Sequence, residues 1–177
     1  ATPWGAASSI RGPAMPKGAA MDAERGAHLA RLARVVAGLR GDGAGHAAPL
    51  GLSSRTPNLF RDRAAGPKRR LDLGEFTHAL GIDPAAGWVD AEGSIRYESL
   101  VDATLPHGVM PAVVPQLKTI TVGGAAAGVG IEATSFRQGL VHDTLLDFEV
   151  LLPDGSVVAC APDNAHGDLF FGFPNSY

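Results

Sequence analysis

Residues 118–135 read KTITVGGAAAGVGIEATS, and the meaning of this stretch decides the fold. Its four glycines and run of alanines leave almost no side chain with which to build a core. Within a regular element each glycine costs roughly 0.5–1 kcal/mol relative to alanine. That cost is offset where a backbone must turn sharply or lie directly against a ligand. Residues 128–133, GVGIEA, match the G-x-G-x-x-A form of the dinucleotide fingerprint. That fingerprint needs a buried strand before it, a long helix after it, and an acidic residue some way downstream. The following TSFRQGLVHD carries no sustained helical stripe, which argues against a Rossmann site. A Walker A loop is excluded, because no Gly-Lys-Ser/Thr follows. Two readings stay open on composition. One is a tight turn with no ligand; the other is a glycine-lined channel whose N–H groups bond to a flat or phosphorylated cofactor.

Downstream, TLLDFEVLLPDGSVVACAP (144–162) reads as two alternating strands around Pro153-Asp154-Gly155. Proline sets φ there and glycine supplies φ > 0. DLFFGF (168–173) suits one helical turn. Upstream, VMPAVVP (109–115) reads as a buried strand. GWVDAEGSIRYESLVDATLPHG (87–108) predicts a strand, a turn at Glu92-Gly93, and a helix from about Tyr97 to Leu105. RRLDL (69–73) alternates as a strand does, with GEFTHALGID (74–83) as a helical turn beside it, and APLGLSS (48–54) is a short strand. Leu29, Leu32, Val35, Val36 and Leu39 recur at helical spacing, predicting a helix from Asp22 to Leu39. The glycine-rich GDGAGHAA (41–48) then stops it near Arg40. Mixed strands and short helices without a repeat predict an α+β fold, with two small lobes meeting near Pro115.

A length of 177 residues allows one compact domain or two small lobes sharing a core. A charged fraction of 19% and a hydrophobic fraction of 45% belong to a globular protein rather than a disordered one. The net charge of −3 gives no electrostatic case for nucleic acid as a partner. Arg61, Arg63, Lys68, Arg69 and Arg70 form a local basic cluster, read as a solvated loop. The single cysteine, Cys160, excludes an internal disulfide and a cysteine-rich metal site. It fits a reducing compartment, and the expected location is cytoplasmic. His28, His46, His78, His107 and His166 are scattered singly, without metal-ligand spacing, so no metal is assigned. No stretch approaches the roughly 18 consecutive apolar residues of a membrane span. Residues 1–21 read as a flexible lead-in without the apolar block of a signal peptide, and the chain reads as a fragment at both ends.

Residues 113–158, VVPQLKTITVGGAAAGVGIEATSFRQGLVHDTLLDFEVLLPDGSVV, resemble the flavin-binding core of FAD-linked oxidoreductases of the vanillyl-alcohol oxidase/PCMH type. Within that superfamily the resemblance is to the 24-dehydrocholesterol reductase (Diminuto-like) group and its bacterial relatives. NLFR (58–61) and DLFFGFPNSY (168–177) are similar to motifs of the same group, in the same order. The resemblance covers about residues 48–177. It implies a PCMH-type FAD-binding fold of two α+β subdomains gripping FAD. The first would span residues 22–115. The second would begin in residues 116–177 and be truncated at its C-terminus. By the same resemblance Arg55, Thr56, Asn58 and Leu59 would cradle the pyrophosphate. Thr121, Val122, Gly123, Gly124, Ala125, Ala126, Ala127, Gly128, Val129, Gly130, Ile131, Glu132 and Ala133 would contact the flavin. For Glu132 a surface role stands beside the cofactor role. Relatives usually carry Ser where this chain has Pro57, which removes a hydroxyl and a backbone donor together and shifts phosphate binding onto Thr56 and Asn58.

The function this implies is an FAD-dependent oxidoreductase passing two electrons to or from a carbon–carbon bond, sterol-reductase-like, with the fragment inactive by itself. Its partners would be a small-molecule substrate and either NADPH or oxygen. The flavin would be held non-covalently, since SSRTPNLF (53–60) contains no histidine and Cys160 lies in a predicted hairpin strand. No catalytic residue is assigned. The one candidate is His142, where the family's chain runs past the flavin edge, and it competes with a surface or structural role. Asp143 reads as an anchor for the following strand. One alternative is a sugar-lactone or alditol oxidase, although Gly128-Val129-Gly130 lacks the His of the Gly-His-Gly-like element those enzymes carry. Another is a flavin-fold remnant without turnover. A branched side chain at Gly124 or Gly130 is expected to abolish FAD binding at modest cost to folding.

Overall fold

The computed structural model describes residues 19–41, 50–53 and 69–174. Helix α1 (Ala19–Gly41) forms where the apolar spacing predicts it, in a segment rich in strong helix formers. Of its apolar stripe Leu32, Val35, Val36 and Leu39 are half-buried, whereas Leu29 is 53% exposed. Arg25, His28, Arg31 and Arg34 recur every third residue, so their directions sweep around the helix. Arg25 pairs with Asp90 at 2.9 Å and reaches Glu149 at 3.7 Å. Arg31 donates to Glu92 at 2.6 Å, and Arg34 pairs with Glu75 at 2.7 Å. At the far end Arg40 donates to the carbonyl of Gly155 at 3.2 Å.

Of those acidic partners Asp90 and Glu149 lie on two hairpins, Glu92 directly follows the first, and Glu75 precedes it. Strands β1 (Leu50–Leu52) and β2 (Arg69–Leu71) first form a short parallel pair, with Leu50 opposite Arg69. Strands β3 (Ala79–Asp83) and β4 (Trp88–Ala91) then pair antiparallel, with an irregularity between Ala79 and Gly81. The Asp83 carboxylate accepts from the amides of Ala85 and Ala86, and Gly87 takes φ +76° to close the turn. Helix α2 (Tyr97–Thr104) follows, as expected, and a single 3₁₀ turn at Leu105–His107 continues it. Later come the short helices α3 (Val122–Ala127) and α4 (Ser135–Gln138) and a 3₁₀ turn at Val141–Thr144. The second hairpin joins β5 (Phe148–Leu151) to β6 (Val157–Cys160) through the predicted Pro-Asp-Gly turn, with Gly155 at φ +79°. Helix α5 (Gly167–Gly172) then stacks Phe170 on Phe148 at 5.2 Å. Among the described residues no helix is long and apolar enough to cross a membrane.

Two elements differ from expectation. Residues 79–83, read as part of a helical turn, form β3, because their partner β4 supplies a ladder that local spacing does not reveal. Residues 109–115, read as a buried strand, are irregular. Pro111 and Pro115 deny two ladder donors, so the segment buries Val113 in the core without pairing. That core is Ile95, Tyr97, Leu100, Val113, Ala125 and Val141, drawn from both sides of Pro115. Burial alone pushes the Tyr97 phenol up to about 12.

Beside this core sits a buried carboxylate, Glu92, whose side chain is 0% exposed. One oxygen accepts from Arg31 and from His28 Nδ1 at 2.8 Å; the other accepts from the His78 amide at 3.0 Å and His78 Nδ1 at 2.9 Å. Burial opposes the charge, but the hydrogen bonds from Arg31, His28 and His78 outweigh it and hold the carboxyl at about 2, against an ordinary 4.5. The folded state thus releases the proton more readily than the unfolded chain. The stability this confers is present above pH 4.5 and is lost as pH falls through about 2. The shift corresponds to on the order of 3 kcal/mol. Glu92→Gln should therefore lower stability at pH 7 by about that amount and flatten the acid limb of the pH–stability curve. Urea midpoints at pH 7 and pH 3 check this; a variant as acid-sensitive as the parent would contradict it.

Candidate functional site

The glycine stretch divides into two halves with different roles. Thr121 caps α3, its hydroxyl accepting from the Gly124 amide at 3.2 Å. The Val122 amide donates to the carbonyl of Ile95 at 3.0 Å, and the Gly123 amide to that of Gly93 at 2.8 Å. The Ala125 amide returns to the Thr121 carbonyl at 2.9 Å. The first four amides of the helix are thus all satisfied inside the chain, so this helix end has no donor left for an anion. Gly123 is glycine because a Cβ would sit 3.0 Å from the Gly93 carbonyl oxygen. Ala125 and Ala126 are buried. Residues 121–127 are thus tied to the rest of the chain through the main chain.

From Gly128 onward the backbone behaves differently. Val129 has φ +55°, the only positive value on a non-glycine among the described residues. For a β-branched side chain this is a strained conformation, costing roughly 1–3 kcal/mol. It is held from both sides: the Gly130 amide donates to Ala125 at 2.7 Å, and the Gly130 carbonyl accepts from the Val141 amide at 2.9 Å. Among the described residues the amides of Val129, Ile131 and Ala133 make no hydrogen bond. Ile131 is 64% exposed and Phe136 85% exposed. Glu132 carries the one carboxylate of the segment and spends it locally, accepting from the Thr134 amide at 2.7 Å.

Gly130 has a packing reason of its own. A Cβ there would lie 2.7 Å from Val141 Cγ2, 2.9 Å from the Ala125 Cβ and 3.3 Å from Pro115 Cγ. A branched side chain at 130 therefore attacks the core, contrary to the expectation of a modest folding cost. At Gly124, which is exposed, the obstacle is only the Thr121 hydroxyl at 2.9 Å.

The other expected residues fall as follows. Arg55, Thr56, Asn58 and Leu59 lie outside the described residues. Asp143 is the anchor it was read to be, accepting from the Leu140 amide at 2.7 Å. His142 follows Val141 beside the strained loop; its ring is 19% exposed and its Nδ1 is buried with no partner among the described residues. His28 and His78, read as scattered, converge on Glu92; sequence spacing held no sign of this, since their meeting depends on how α1 crosses the hairpin. No group of three or more His, Cys, Asp or Glu among the described residues could hold a metal ion. Two grooves of about 460 and 510 Å³ run beside α1, lined by Arg31, Arg34 and Glu75 among others, and neither includes a residue of the glycine loop.

Residues 59–161 match the family of the FAD binding domain. The chain belongs to that family. Family membership makes FAD the cofactor. The chain is 38% identical over 104 residues to a Delta(24)-sterol reductase of Pisum sativum, covering 59% of this chain and 18% of that protein. It is 34% identical over 129 residues to cytokinin dehydrogenase 6 of Oryza sativa subsp. japonica, covering 73% of this chain and 24% of that protein. The chain thus spans less than a quarter of the length of these relatives. Among solved structures, 6-hydroxy-D-nicotine oxidase from Arthrobacter nicotinovorans matches with a TM-score of 0.64 at 20% identity, over 82% of this chain and 30% of that one. A BBE-like 1 variant from Physcomitrella patens matches with a TM-score of 0.52 at 25% identity, over 59% of this chain and 22% of that one. The fold is the α+β, PCMH-type FAD-binding fold that the resemblance implied.

The described residues suit this cofactor. Unpaired main-chain donors at 129, 131 and 133 stand beside exposed apolar side chains, with no uncommitted charge in the loop. Relief of the strain at 129 is measurable. Val129→Gly should leave stability unchanged or raise it by up to about 1 kcal/mol, since lost αL strain exceeds the added chain entropy. Gly130→Val should lower it by about 1–3 kcal/mol through overpacking, with or without flavin. Urea titrations of the flavin-free chain distinguish these outcomes; a harmless valine at 130 would contradict the packing.

Proposed function

We propose that this chain is the FAD-binding region of an oxidoreductase that moves two electrons to or from a carbon–carbon double bond. Supporting the reaction class is the similarity to Delta(24)-sterol reductases, at 38% and 36% identity for the Pisum sativum and Arabidopsis thaliana proteins. The observation that carries the assignment of the surface is the set of unpaired amides at Val129, Ile131 and Ala133. Once bound, the isoalloxazine supplies the two-electron redox chemistry. The chain's own residues supply binding and orientation. Amides at 129, 131 and 133 donate to the cofactor's acceptor atoms, and Ile131 and Phe136 shed water as they are covered. Arg55, Thr56, Asn58 and Leu59 take the pyrophosphate. In this reading residues 22–115 form the first subdomain and residues 116–177 contribute to the second.

Attachment is non-covalent. Cys160 is fully buried, and burial, with the charge of Asp168 adding to it, pushes its thiol up and away from the reactive thiolate. His142 turns a closed-off nitrogen inward. The substrate is a small alkene or its saturated product, and the second redox partner is NADPH or oxygen. Purified parent protein should carry flavin absorbance, and acid precipitation should release all of it into the supernatant. Colour retained in the pellet would overturn the non-covalent assignment. Ala133→Pro deletes one proposed donor and should weaken FAD binding by about threefold to tenfold in a fluorescence-quenching titration.

A further inference from the structure

The glycine loop is held by main-chain bonds to a turn, and that turn is held by a side chain far from the loop in sequence. Residues 92–95 carry the two carbonyls that receive α3: Gly93 accepts from Gly123 at 2.8 Å, and Ile95 accepts from Val122 at 3.0 Å. A Cβ on Gly123 would lie only 3.0 Å from the Gly93 oxygen, so the two backbones meet without intervening side chains. Glu92 opens this turn, with its own amide bonded to the His78 carbonyl at 2.9 Å and its carbonyl accepting from Ile95 at 3.0 Å. Its carboxylate is gripped by His28 and Arg31 of α1 on one oxygen and by His78 on the other. A buried carboxylate held by three side chains on two elements cannot shift without exposing or unpairing a charge.

We propose that Glu92 is a positioning residue for the glycine loop, fixing through Gly93 and Ile95 the register in which α3 presents the strained segment from Gly128 to Ala133. The link to cofactor affinity rests on the reading of that segment as the FAD surface. The connection runs from α1 to Glu92, from its turn to the amides of Val122 and Gly123, and through α3 to Ala125, whose carbonyl accepts from Gly130 at 2.7 Å. Loss of the carboxylate frees the turn, and α3 and the segment that follows it are then less firmly held.

The test uses the chain without flavin and reads amide hydrogen exchange residue by residue in wild type, Glu92→Gln and Arg31→Met. Arg34→Met, which removes only the exposed pair with Glu75, is the control. Both Glu92→Gln and Arg31→Met should speed exchange at Val122 and Gly123 by about tenfold or more relative to the ladder amides of Val150 and Val158, while the control leaves that ratio unchanged. Should Glu92→Gln fail to fold, Arg31→Met carries the same prediction, because the carboxylate stays in place and loses its shortest bond. Equal acceleration at the loop and at the hairpin, or none at either, overturns the proposal and makes Glu92 a general stabiliser. A parallel FAD titration should show weaker binding in both variants. A wild-type chain that takes up no FAD, with loop amides that still respond, overturns the cofactor reading and leaves the positioning role standing.

Discussion

The carboxylate of Glu92 is the contact on which the arrangement of this chain turns. A buried charge is costly unless every lone pair has a donor, and here Arg31, His28, the His78 ring and the His78 amide supply them. The consequence is geometric as much as energetic. Helix α1 cannot slide along the hairpins, because its Arg31 and His28 must meet a carboxylate that the β4 turn holds at one place. With that register set, Arg25 falls between Asp90 and Glu149, and Arg40 reaches the Gly155 carbonyl. One helix thereby spans the hairpin before the glycine loop and the hairpin after it. The exposed pairs add little individually; the buried one decides the placement.

The same stretch of glycine and alanine serves two purposes that composition cannot separate. In residues 121–127 small residues allow close approach of backbone to backbone, and the partner is the chain itself. From residue 128 the backbone accepts strain at Val129, and the amides of Val129, Ile131 and Ala133 make no hydrogen bond among the described residues. A glycine is thus uninformative until its neighbour in space is known: Gly123 faces Gly93, and Gly130 faces Val141 and Pro115.

What the sequence made legible was local. The Pro153-Asp154-Gly155 turn carries its own chemistry, so the β5–β6 hairpin follows from a few residues. Helix α1 and helix α2 follow from spacing, and the α+β class and FAD family from motifs in register. What failed depended on distant partners. β3 exists because β4 pairs with it, and residues 109–115 stay irregular because two prolines remove the donors a strand would need. Glu92 read as no more than a turn residue. Its weight comes from His28 and Arg31, some sixty positions earlier, and no periodicity in the sequence connects them.

A site made of main-chain donors has a particular dependence. Side-chain donors can be brought into place by a rotamer change, whereas amides at 129, 131 and 133 move only if the backbone moves. Their placement therefore relies on whatever fixes φ and ψ from Gly128 to Ala133. Close packing at Gly130 fixes one end, the Glu132 and Thr134 turn fixes the other, and α3 sets the direction of approach. The cost falls on stability: Val129 is held in an unfavourable conformation, and its release is opposed by contacts that end at the buried carboxylate. The bonds that hold the α1–β4 junction and those that hold α3 thus meet in the turn from Glu92 to Ile95.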